Sequence, residues 1–125
     1  MERYLLVALG GALGSLLRYL LGAWVQGLLG PGFPWSTLLV NALGSLLIGA
    51  VVRLSLEGAL SGEVRLFLAV GLLGGFTTFS TFSYETLALV QDGEALQALA
   101  YVLGSLLLGF ILVYLGYRLG GMLVA

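Results

Sequence analysis

Long apolar runs separated by short polar turns set the layout of this chain. The first run extends from Tyr4 to Leu29, the second from Trp35 to Leu56, the third from Glu63 to Val90 and the fourth from Ala95 to Leu119. A helix needs about 20 apolar residues to cross a bilayer core, so each run is long enough. The pattern predicts a single four-span unit over residues 1–125, an all-α membrane protein. Gly30-Pro31-Gly32-Phe33-Pro34 and Gln91-Asp92-Gly93-Glu94 read as turns. Pro34 suits a helix start, where its missing N–H costs nothing, and Trp35 suits an interfacial anchor. Ser61, three residues before Val64, reads as the cap of the third helix.

Polar and small residues inside the runs then distinguish one face from another. Gly10-Gly11-Ala12-Leu13-Gly14 forms a face that lets a second helix approach closely. Arg18 lies near the middle of the first run, where a lone cation costs roughly 2.5–3.5 kcal/mol. It therefore needs a polar cavity, a carbonyl cluster or a carboxylate, either as a structural pair or to attract anions. In the second run, Asn41, Gly44, Ser45 and Gly49 fall along one side. Asn41 sits roughly 10 Å into its helix at 1.5 Å per residue. Its amide must hydrogen-bond, as glue between helices or as a donor facing an ion. In the fourth run, Tyr101, Ser105 and Gly109 recur every four residues.

The third run carries the main interruption, Gly74-Gly75-Phe76-Thr77-Thr78-Phe79-Ser80-Thr81-Phe82-Ser83. Within a bilayer a helix break is tolerated only where protein or a cavity covers it. We place the break at Gly74–Thr77, with the helix resuming near Thr78 or Phe79. Carbonyls freed there are oxygen ligands for a cation. Phe79 and Phe82 share a face, and aromatic edges are electropositive, so two rings set edge-on to a narrow path favour a small anion while holding it weakly. The same spacing suits ordinary packing, and hydroxyls often bond back to their own helix.

Composition narrows the class. The chain is 60% hydrophobic and 9% charged, against about a quarter charged in soluble domains. It has no cysteine or histidine and a net charge of −1, which excludes thiolate chemistry and leaves no basic surface for nucleic acid. Without converging His, Cys or paired carboxylates, an enzyme is not expected and no catalytic residue is assigned. Arg3, Arg53, Arg65 and Arg118 fall on the side of the chain ends, while the two opposite turns carry no Lys or Arg. The positive-inside rule places that side in the cytoplasm. Four spans without an inverted second half mean that any two-fold site needs a second copy.

The string at 74–83 resembles the signature of the Fluc/CrcB fluoride channel family. The resemblance extends to Gly10-Gly11-Ala12-Leu13-Gly14 with Arg18-Tyr19, to Asn41-Ala42-Leu43-Gly44, and to Tyr101 and Ser105. It implies four transmembrane helices with a broken third helix, assembled as an antiparallel homodimer of dual topology in the lipid of the cell inner (plasma) membrane. It implies passive, fluoride-selective export that lowers cytoplasmic fluoride. It implies a structural sodium ion, Na+, at the dimer axis, held by backbone carbonyls at Gly74 and Thr77. The fluoride pathway would comprise Phe79, Phe82, Asn41, Thr81, Tyr101 and Ser105, with Glu85 as a further candidate; Arg18 is given no pore role. Two departures stand out. A family hydroxyl position falls on Gly109, and the arginine bias favours a fixed orientation with an inverted paralogous partner. A coupled transporter like the small multidrug resistance proteins is the competing class, but it requires a carboxylate in the first helix, where this chain has Arg18.

Overall fold

The computed structural model describes residues 1–125 and is all-helical. Helix α1 spans Glu2–Leu29 and α2 Trp35–Leu56. The third span comprises α3 (Gly62–Arg65), a π-helical stretch (Leu66–Leu73), α4 (Gly74–Phe76) and, after an interruption, α5 (Ser80–Gln91). Helix α6 spans Ala95–Leu123. Four helices, Glu2–Leu29, Trp35–Leu56, Gly62–Gln91 and Ala95–Leu123, are long and apolar enough to cross a membrane.

The turns form where glycine and a single amide make them affordable. Gly30 and Gly32 adopt φ of 85° and 108°, a region where a side chain is strained. The Gln26 side chain closes this turn, donating from Nε2 to Gly30 O at 2.6 Å and Phe33 O at 3.0 Å. Its Oε1 accepts from Ser36 N at 3.1 Å. On the opposite end, Ser61 Oγ accepts from Val64 N at 3.1 Å and caps α3 as its position in the sequence suggests.

Helices approach backbone to backbone through glycine. A Cβ on Gly14 would overlap the Leu72 carbonyl, one on Gly10 would sit 2.7 Å from Phe67 O, and one on Gly75 would sit 2.6 Å from Gly11 O. These contacts seat the first half of the third span on α1. Gly49 and Gly116 do the same between α2 and α6: a Cβ on Gly49 would overlap Val113 O, and one on Gly116 would overlap Leu46 O. With no hydrophobic force between helices in lipid, such close packing and buried hydrogen bonds supply the association. Only 18 residues are buried, so most leucines face outward, as expected of a chain whose solvent is hydrocarbon.

The α2–α6 contacts run in register from Leu38 with Ala98 and Tyr101 to Ala50 with Gly120. These two helices are therefore parallel, and Arg53 meets Gly121 at their shared end. Arg53 pairs with Glu57 at 2.9 Å and lies over the Tyr117 ring, 4.7 Å from its centroid. Arg118 donates to Tyr114 Oη at 2.9 Å. Arg3 and Arg65 line one cavity.

Candidate functional site: the interrupted third span

The interruption is three residues long, Thr77 to Phe79, and lies later than the sequence reading placed it. Gly74 keeps helical angles (φ −63°, ψ −38°), whereas Thr77 is extended (φ −90°, ψ 157°). Helix α5 begins at Ser80 with Phe79 as its N-cap, close to where the sequence has the helix resume. The reason lies in what each residue does. Gly75 is used for contact with α1, which needs no break, while Gly74 stays helical with no other helix close to it and lines the neighbouring cleft. Thr77 ends the helix: its N–H and its Oγ1 both donate to Leu73 O, at 3.1 and 2.9 Å.

Asn41 fixes the next residue. Its Nδ2 donates to Thr78 O at 2.9 Å, and its Oδ1 accepts from Thr78 N at 2.8 Å. One side chain thus satisfies both backbone groups of a residue that has left the helix, which the bilayer interior demands. Thr78 Oγ1 then accepts from Thr81 N at 3.3 Å and donates to Thr81 Oγ1 at 3.2 Å, capping α5. Arg18 Nε donates to Gly75 O at 3.1 Å. Of the partners expected for Arg18, the structure selects a carbonyl. Asn41, weighed between glue and ion donor, here clamps the break.

After this accounting the Gly74 and Thr77 carbonyls receive no hydrogen bond, because Thr78 N is committed to Asn41 and Thr81 N to the Thr78 hydroxyl. Neither His, Cys, Asp nor Glu gathers in a metal-binding group. Both are neutral oxygens, a chemistry that would fit a hard cation such as sodium.

A cleft of about 380 Å³ brings together Asn41, Gly74, Thr77, Phe79, Phe82 and Ser105. Phe79 is 79% exposed, and its ring lies 5.9 Å from that of Phe82. Ser105 Oγ is enclosed yet has no hydrogen-bond partner. Ser45 also lines the cleft, and its Oγ lies 3.5 Å from where a Cβ on Gly109 would be. A hydroxyl from α2 therefore stands beside the position at which α6 lacks one.

The remaining candidates lie elsewhere. Thr81 and Glu85 line a second, more polar cleft of about 320 Å³ together with Arg18, Gln26 and Thr37. Tyr101 lines neither and is fully buried. It joins the two sides: its ring is 5.0 Å from Phe82, and its hydroxyl donates to Glu85 Oε1 at 3.0 Å. Thr78 lines both clefts. Ser83 and Thr86 bond back to the Phe79 and Phe82 carbonyls of their own helix, which removes them from either surface network.

Gln26 and Thr37 were not singled out from the sequence. A glutamine one turn before a Gly-Pro turn is the available signal for the first. Thr37, placed early in an apolar helix, gives none.

Residues 5–117 match the family described as CrcB-like protein, Camphor Resistance (CrcB). A fluoride-specific ion channel FluC from Thermus thermophilus is 79% identical over 123 residues, covering 98% of this chain and 97% of the relative. Proteins of the same name from Rhizobium meliloti and Anaeromyxobacter dehalogenans are 48% and 54% identical, over 95% and 86% of this chain and 96% and 86% of their own lengths.

Proposed function

The chain belongs to the CrcB family, whose named relatives are ion channels and not enzymes, and from that premise we propose that it is a passive fluoride-selective channel of the inner membrane. It lowers cytoplasmic fluoride by letting the anion leave down its electrochemical gradient. The observation that carries this reading is the cleft in which the Phe79 and Phe82 rings meet Asn41 and the unbonded Ser105 hydroxyl. A ring edge attracts an anion weakly, and a hydroxyl donor replaces part of its hydration shell. Neither holds the ion tightly enough to stop conduction.

An open cleft at bilayer depth requires a cover. A second copy in the inverted orientation supplies one and completes two pathways related by a two-fold axis. In that antiparallel homodimer, the Gly74 and Thr77 carbonyls of each copy are the residues to hold Na+. Such an ion, when bound, would supply positive charge at these neutral oxygens. The residues on this chain do the rest: Asn41 and Arg18 hold the broken backbone open, and Tyr101 backs the Phe82 ring.

A fixed orientation with an inverted paralogue is the second reading. It is favoured by four arginines that all belong to the end carrying both chain termini.

The test is fluoride efflux from liposomes loaded with potassium fluoride and potassium chloride, read by ion-selective electrodes. Fluoride release with retained chloride is expected. Protein that reconstitutes as a dimer yet releases no fluoride refutes the reading.

A further inference from the structure

We propose that the cavity between the start of α1 and the start of the third span is a binding site for the phosphate headgroup of an anionic phospholipid. This cavity, of about 210 Å³, is lined by Arg3, Gly62, Arg65, Leu66, Ala69 and Val70. It lies apart from both clefts at the interrupted helix and shares only Ala69 with the larger one.

The arginines at this end fall into two kinds. Arg53 and Arg118 have partners within the chain, Glu57 with the Tyr117 ring and the Tyr114 hydroxyl respectively. Arg3 and Arg65 have none: neither forms an ion pair or a side-chain hydrogen bond, and both are exposed. The nearby acids form no ion pair with them. Glu2 adjoins Arg3 without pairing, and Glu63 lines a different cavity with Leu6 and Phe67. Two unpaired guanidinium groups therefore border one cavity, and the planar fork of arginine matches phosphate oxygens.

The shape of the cavity selects a lipid over a free ion. Arg65 is four residues into a span beginning at Gly62, the level of the headgroups. Leu66, Ala69 and Val70 continue from it down the same helix towards the hydrocarbon, with Val70 57% exposed. The site thus presents cationic groups at the top and an apolar wall below, the arrangement of a phospholipid's own polarity. A substitution at Gly62 would meet nothing within 4 Å, so its side of the cavity is open.

The experiment uses the purified protein in mild detergent, with equal amounts of phosphatidylglycerol and phosphatidylcholine, and counts retained lipids by native mass spectrometry. Wild-type protein is expected to prefer phosphatidylglycerol by about tenfold or more, since each surface arginine attracts anionic lipid appreciably. The double variant R3Q/R65Q should lose that preference, and R118Q should keep it. The double variant should also retain wild-type fluoride efflux, which shows that it is folded. If it does not assemble, R3Q and R65Q are measured singly, and each should lower the preference about threefold. Equal retention of the two lipids by wild-type protein overturns the proposal, as does an unchanged preference in the variants. Displacement of the lipid by millimolar inorganic phosphate, equally effective on a short-chain and a long-chain phosphatidylglycerol, would reassign the cavity to a free anion and overturn it too.

Discussion

The two halves of the third span divide their labour. The half before the break lies against α1 with glycine on glycine, and a methyl group added at Gly14 or Gly75 would meet backbone. The half after the break touches its neighbours mainly through side chains. It leaves Phe79 largely exposed and places Phe82 against Tyr101. One helix thus passes from a segment specified by what is missing at each position to one specified by what is presented. Failure should accordingly take different forms on either side of Thr77.

The largest effect is expected from Gly14→Val, whose side chain would collide with the Leu72 carbonyl. Overpacking typically costs 1–3 kcal/mol, and here backbone leaves little room for relief. Loss of the monodisperse peak on size-exclusion chromatography is the expected outcome. A well-behaved protein would show that α1 yields more readily than the contacts imply.

Asn41→Leu comes next, since it removes both hydrogen bonds to Thr78. A buried hydrogen bond left unmade costs roughly 1–3 kcal/mol, so a lower thermal midpoint and loss of fluoride flux should appear together. Retained flux would mean that Thr77 and the α5 cap alone shape the interruption.

Phe82→Ile keeps apolar bulk but removes the ring. Fluoride flux should fall about tenfold, equivalent to ~1.4 kcal/mol, with assembly unchanged. Equal flux would assign this ring to packing against Tyr101 alone. The smallest effect belongs to Thr77→Val, which deletes one hydroxyl bond to Leu73 O while the backbone N–H bond remains. A stability loss of about 1 kcal/mol, with flux retained, is expected from thermal unfolding and the electrode assay.

The same division decides what was legible in the sequence. The four spans were readable because apolar length alone sets them. The need of Arg18 for a partner was readable because an unpaired cation in hydrocarbon is costly. The position of the break was not. Glycine serves equally to release a helix or to let it be approached; Gly75 does the second, Gly74 does neither, and the threonines do the first. The π-helical stretch was illegible because Leu66–Leu73 is apolar almost throughout, so it carries no facial pattern from which to read a turn width. The candidate residues also divide between two clefts in a manner spacing cannot give. Asn41, Phe79, Phe82 and Ser105 share one cleft, Thr81 opens into another, and Tyr101 stands between them.

The Asn41–Thr78 pair has a mechanical consequence. An interrupted membrane helix ordinarily behaves as a hinge, and hinges make gates. Here Thr78, at the middle of the interruption, is held at both its N–H and its carbonyl by one side chain from a neighbouring span, while Arg18 grips the carbonyl at Gly75. The two halves are thereby locked at a fixed bend, like a bracket rather than a joint. A pathway built on such a bracket is expected to have no moving door at this point.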